Sequence, residues 1–148
     1  MVKRYALKRS MKKKVTCIIP AYNEENRISK VLEVVRGHPL INEIIVVNDC
    51  SKDNTLKVIK KFRDIKILNN KKNLGKTLSV LEGLKVSKND LVLLLDADLL
   101  NLTKDNISRL ILAVLNNKVD VPIALFGTMF AFRIIGADSG SGQRVFNK

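Results

Sequence analysis

Apolar residues in this chain switch repeatedly between two spacings. Val15 to Ile19, Glu43 to Asn48, Ile65 to Leu68 and Leu91 to Leu95 are short apolar runs bounded by turn residues, the pattern of strands buried on both faces. Between them the period becomes helical. Ile28, Val31, Leu32 and Val35 fall at i, i+3, i+4 and i+7, which predicts an amphipathic helix that Gly37 and Pro39 stop. Asp53, Asn54 and Thr55 open a second helix with Leu56, Ile59 and Phe62 inward. A third runs from Gly75 to about Val86 with Leu78, Leu81 and Leu84 inward. Thr103 caps a fourth, with Ile107, Leu110, Ile111, Val114 and Leu115 inward, and Val119 to Leu125 predicts a fifth strand. Strands and helices that alternate over short connections predict an α/β domain with a mostly parallel sheet.

Ligands of such sheets bind outside the carboxyl ends of the strands. Four consecutive strand ends carry polar residues here: Pro20 to Glu25, Asn48 to Ser51, Asn69 to Lys76, and Asp96-Ala97-Asp98. The last is the most informative. In a strand-like segment, residues two apart point to the same side, so both carboxylates can converge on one point, where they repel. A divalent cation relieves that repulsion. Mg²⁺ and Mn²⁺ favour oxygen ligands, and Mg²⁺ often takes one or two carboxylates and completes its shell with water and substrate phosphates. A D-x-D alone reads equally well as a helix cap beside a solvated aspartate.

Composition narrows the classes. A chain of 148 residues with 46% apolar content has the length and core of one domain. No apolar run reaches the ~18–20 residues that span a bilayer. The longest, Pro122 to Phe132, suits a buried strand or an interfacial segment. The basic start lacks an apolar secretory core, so no signal peptide is expected. Lys3, Arg4, Lys8, Arg9, Lys12, Lys13 and Lys14 place +7 of the net +13 in residues 1–14. These residues are expected to be a flexible extension ahead of a domain spanning 15–148. Such a tail suits anionic lipid headgroups or nucleic acid. With five Phe, two Tyr and no Trp, no aromatic-interleaved basic patch is visible, and no specific nucleic-acid partner is expected. Cys17 and Cys50 lack metal-ligand spacing and are too few for a disulfide scaffold. Cys17 reads as a small core residue, and the pair suggests a reducing, cytoplasmic compartment. His38, between Gly37 and Pro39, reads as a helix-end partner or a surface histidine rather than a catalytic one.

The strand-end segments "IIPAYNEE", "EIIVVNDCSKDNT", "NKKNLGK" and "LLLDADL" occur in an order and at spacings that resemble the nucleotide-binding half of the family 2 inverting glycosyltransferases. The resemblance is nearest to the polyprenyl-phosphate (dolichyl-phosphate) mannosyl- and glucosyltransferase branch and covers about residues 14–125. It implies a GT-A fold and metal-dependent transfer, with inversion, from a UDP- or GDP-sugar to an acceptor such as a polyprenyl phosphate. A cytoplasmic protein peripheral to the membrane would suit that acceptor. Pro20, Tyr22 and Glu24 would line the base and ribose pocket, and Asp49 would accept from the base ring N–H. Asp96 would face the ribose and the metal, and Asp98 would coordinate Mg²⁺ or Mn²⁺. Lys76 would meet donor phosphates. The segment Ser141 to Arg144 resembles the opening of the acceptor region, which makes Arg144 a candidate for a phosphate. Each has a plainer reading: Tyr22 as surface packing, Asp49 as a turn aspartate, Lys76 as a solvated helix residue.

The chain departs from the pattern in three places. Asn48 and Cys50 stand where Asp and Gly are common, which should alter that turn. Leu100 follows the Asp pair where a polar metal neighbour is common, so a third ligand is unassigned. The acceptor half and its general base are expected beyond Lys148, so no catalytic residue is assigned. Two alternatives stand beside this reading: a nucleotide-sugar-binding module without turnover, from the absent acceptor half, and a basic membrane- or nucleic-acid-surface binder that retains the fold, from the basic start. Nothing in the sequence sets the oligomeric state.

Overall fold

The computed structural model describes residues 14–116 and the backbone of residues 144–147. The elements run β1 (Val15–Ala21), α1 (Ile28–Val35), β2 (Ile41–Asn48), α2 (Thr55–Ile59), β3 (Lys66–Asn69), α3 (Lys76–Val86), β4 (Leu91–Leu94), α4 (Lys104–Leu115) and β5 (Arg144–Asn147). The sheet order is β3-β2-β1-β4-β5. The first four strands in the chain pair in parallel, and β5 closes the edge antiparallel to β4. The chain builds outward from β1 through β2 to β3, then crosses back so that β4 lies on the other side of β1. That reversal opens a crevice at the carboxyl ends of β1 and β4, the place where open α/β sheets bind ligands.

Alternation along the strands divides the core into two layers. Val15, Cys17, Ile19, Leu91, Leu93 and Leu95 pack on one face with the inner stripes of α1 and α4. Ile18, Ile45, Val47 and Val92 face the other way, against Leu84 and Val86 of α3. Cys17 is fully buried, and burial pushes its thiol far above the ordinary range, so it acts as a core residue. In α1, the four residues of the predicted stripe are the four that are buried. In α4, Thr103 caps reciprocally with Asn106, and Ile107, Leu110, Ile111 and Val114 are buried with Leu115 packed beside them.

Three expectations need correction. In α3 the predicted inward residues Leu78 and Leu81 are 49% and 44% exposed, and Ser79 and Gly83 are buried instead. The helix lies so close to the sheet that a Cβ on Gly83 would sit 2.7 Å from Cγ2 of Ile18, so small residues make the contact. In α2 Leu56 is only half-buried, and Phe62 reaches the core from beyond the helix end. His38 is buried, not on the surface. Its Nδ1 accepts from the Leu40 N–H, which leaves the ring proton on Nε2 to donate to the carbonyl oxygen of Lys104, with Ser108 Oγ 3.1 Å away. The segment Val119 to Leu125 lies outside the described residues, as do Pro122 to Phe132 and the basic residues 1–13. The fifth strand described is β5.

Candidate functional site

An open cleft of about 250 Å³ sits at the carboxyl ends of the strands. Pro20, Tyr22, Glu24, Asp49, Lys76, Asp96 and Asp98 line it, joined by Ala21, Ser79 and Ala97. Residues from the ends of β1, β2 and β4 and from the start of α3 therefore meet in one place. Arg144 stands in register opposite Leu94 on β5, and its side chain is outside the described residues.

The loops that carry these side chains are tied together. Asn23, at φ +56, donates its N–H to Ser51 Oγ, and its own Oδ1 accepts from the Lys52 N–H. The Glu24 N–H donates to Thr55 Oγ1, and the Glu25 N–H donates to Asp53. Glu25 returns the bond by accepting from the Asn54 N–H. The loop after β1 thus holds its shape by bonding the loop after β2. Tyr22 stands at the rim of the cleft, 41% exposed, with its ring available for a flat ligand.

Asp49 is nearly buried and acts as a clamp. Oδ1 accepts from the Asn70 side-chain amide and the Leu74 N–H, each at 2.8 Å, and Oδ2 accepts from the Gly75 N–H at 2.8 Å. Burial alone would raise its pKa. Hydrogen bonds from Asn70, Leu74, Gly75 and Ser79 outweigh burial and hold the carboxyl below its ordinary range. A carboxylate has about four acceptor positions, and the Ser79 hydroxyl, which also lines the cleft, is the fourth donor. Asn48 beside it is buried and donates to Asn69 Oδ1 at 2.6 Å. Cys50 follows at φ +60, in the left-handed region that glycine takes most easily.

The two aspartates after β4 meet different cations. Strand geometry ends at Leu94, and the chain turns at Ala97-Asp98, so strand alternation no longer sets where they point. The Asp96 side chain is 20% exposed, and its Oδ1 lies 2.6 Å from Lys76 Nζ. Asp98 is half-exposed and lies 4.0 Å from Arg27, whose guanidinium is also 3.5 Å from Glu24. Burial raises the Glu24 pKa; the nearby Asp98 charge adds to the rise, Arg27 opposes it, and Asp53 adds a little more. Among the described residues no group of three or more His, Cys, Asp and Glu is placed to hold a metal. Two hard carboxylates in one cleft do suit Mg²⁺ or Mn²⁺ that takes its other ligands from water and phosphate.

Arg27, Asn70 and Ser79 were not singled out by the sequence. Arg27 carried a faint signal, since it follows Glu24 by three residues at the start of α1. Asn70 and Ser79 meet Asp49 only through the fold.

Comparison with known proteins agrees with the fold. The model of the family described as glycosyl transferase family 2 matches residues 16–133. A dolichyl-phosphate beta-glucosyltransferase of Trichomonas vaginalis is 38% identical over 96 residues, which is 56% of this chain and 28% of that protein. An undecaprenyl-phosphate 4-deoxy-4-formamido-L-arabinose transferase of Proteus mirabilis is 34% identical over 109 residues, 66% of this chain and 32% of that protein. The chain therefore spans about a third or less of these relatives. Among solved structures, glucosyl-3-phosphoglycerate synthase from Mycobacterium tuberculosis with UDP superposes with a TM-score of 0.70 at 20% identity, covering 82% of this chain and 47% of that one. Its complex with Mn²⁺, UDP and glucosyl-3-phosphoglycerate gives 0.68 at 21% identity, over 80% and 46%. The likeness shows the GT-A fold.

Proposed function

The chain belongs to glycosyl transferase family 2, and on that premise we propose that it forms the donor-binding part of an enzyme that moves a sugar from a nucleoside diphosphate sugar to a polyprenyl phosphate, with inversion. The observation that carries this reading is the convergence of Pro20, Tyr22, Glu24, Asp49, Lys76, Asp96 and Asp98 on one cleft at the switch point of the sheet. The uracil nucleotide of structurally similar proteins makes a UDP-sugar the first donor to test, ahead of a GDP-sugar. The lipid acceptors named for the relatives support the acceptor class and a place at a membrane surface.

In this reading the base ring N–H takes the place of the Ser79 hydroxyl on Asp49, and the clamp that Asp49 makes fixes the loop that ends at Lys76. Tyr22 and Pro20 wall the base and ribose. Asp96 and Asp98 would hold Mg²⁺ or Mn²⁺, which supplies Lewis-acid stabilisation to the leaving diphosphate. Lys76 adds a positive charge at the same phosphates, where negative charge develops as the glycosidic bond breaks. An acceptor phosphate is already ionised at neutral pH, so its oxygen attacks without a strong protein base.

Calorimetric titration of UDP, with Mn²⁺ and then with EDTA, tests the reading. Wild-type protein should bind UDP more tightly with Mn²⁺, and Asp98→Asn should lose most of that gain because it removes an anionic ligand at constant size. Equal affinity in both conditions for both proteins would remove the metal role. The second reading is a nucleotide-sugar-binding module without turnover. Formation of lipid-linked sugar from a UDP-sugar and polyprenyl phosphate by this chain would exclude it.

A further inference from the structure

Lys76 is the first residue of α3, and its ammonium reaches across the cleft to Asp96 at 2.6 Å. Its own helix gains nothing from it there. The positive end of a helix dipole disfavours a cation, and the first turn of α3 has no acidic residue to offset it. The turn before it is set by Gly75 at φ +83, whose N–H is held by Asp49. The Lys76 side chain is 56% exposed, so its head keeps much of its hydration and its stem is free to swing. Arg27 stands in the same relation to Glu24 and Asp98. Carboxylates that would hold a cation are thus already set against basic side chains of the chain itself.

We infer that Lys76 is a displaceable counterion of the donor site: it occupies Asp96 until a divalent cation and a nucleoside diphosphate arrive together, and then transfers its charge to a phosphate oxygen. The inference rests on the donor-site reading above. A divalent cation alone must displace an ammonium in contact with Asp96 and is repelled by it. With a diphosphate present, Lys76 has an anion to move to, and the two ligands favour each other's binding. The lysine therefore makes the cleft take the metal–nucleotide pair in preference to either part.

Mn²⁺ titration followed by electron paramagnetic resonance of the free ion tests this, with and without UDP, on wild type, Lys76→Gln and Lys76→Arg. Lys76→Gln should bind Mn²⁺ alone about threefold to tenfold more tightly than wild type. UDP should then improve its Mn²⁺ affinity by a smaller factor than in wild type. Lys76→Arg keeps the charge and should stay close to wild type in both respects. Thermal melts of the three proteins should coincide, because the side chain is half-exposed. If Lys76→Gln binds Mn²⁺ alone no more tightly than wild type, the counterion role is overturned. If UDP leaves Mn²⁺ affinity unchanged in every protein, the donor-site reading fails, while the Mn²⁺-alone comparison still decides whether Lys76 competes for Asp96.

Discussion

Cys50 holds φ +60 in the turn between Asp49 and Ser51, and its Sγ lies 3.7 Å from the Lys71 carbonyl oxygen. Left-handed backbone costs a non-glycine residue about 1–2 kcal/mol, and glycine gives back about 0.5–1 kcal/mol in lost chain entropy. Cys50 thus holds a left-handed conformation that glycine would take without that strain. Cys50→Gly should therefore raise the urea midpoint by the equivalent of about 0.5–1 kcal/mol, and a lower midpoint would show that the thiol contact outweighs the strain. Asp49, one residue earlier, stabilises the same region. Its partners lie 21 to 26 residues away, so the sequence showed a polar residue at a strand end but not the clamp. Asp49→Ala strands those donors and should cost about 2–4 kcal/mol of stability. The pH dependence has a defined sign. A folded-state pKa held below the ordinary carboxylate value gives stability that is present above about pH 4 and is lost as pH falls through the folded value. Asp49→Asn should flatten that acid limb in a series of urea melts from pH 2 to 6, and an unchanged limb would place the acid sensitivity elsewhere.

Two helices of similar pattern behave differently, and the difference is physical. In α1 the apolar stripe has polar residues on its other side, so hydrophobicity alone identifies the buried face. In α3 leucines occur around the helix, and the buried positions are the small ones, Ser79 and Gly83, because the axis lies close to the sheet. Periodicity reports where large residues recur, not how near two backbones come. Gly83→Ala separates these effects. In an exposed helix interior it would stabilise by about 1 kcal/mol. Here the new methyl meets a stiff branched side chain at 2.7 Å, so it should destabilise by about 1–3 kcal/mol in urea unfolding. His38 joins elements in a comparable way, since its ring ties the turn after α1 to the first turns of α4. Burial lowers its pKa; the hydrogen bond to Lys104 opposes this, and the Lys104 charge reinforces it. The neutral ring is the folded form, so its contribution is complete above about pH 6.5 and declines as pH falls below that. His38→Gln should remove this dependence between pH 7 and 5, and an unchanged profile in the variant would assign it to other groups.

At the scale of the molecule, the alternation of strands and helices was legible, as was the polar character of each strand end. The order β3-β2-β1-β4-β5 was not, because it depends on which side of β1 the chain chooses after β3. That choice brings Asp96 and Asp98 beside the ends of β1 and β2 and makes one cleft from four separate loops. No helix among the described residues is long and apolar enough to cross a membrane. Residues 1–14 carry +7. A polybasic segment gains about 1 kcal/mol for each Lys or Arg held near an anionic surface. Seven such residues cannot all touch at once, so association should be reversible. It should weaken steeply between low salt and 0.5 M salt, where the screening length falls to about 4 Å. Sedimentation with phosphatidylserine-containing vesicles measures this. Protein that starts at Met11 lacks Lys3, Arg4, Lys8 and Arg9 and should sediment less at low salt while keeping a remainder from Lys12, Lys13 and Lys14. Neutral vesicles should retain neither version. Equal sedimentation of the two versions with anionic vesicles would show that the tail does not bring the domain to a membrane, and the case for a lipid phosphate acceptor would then rest on the relatives alone.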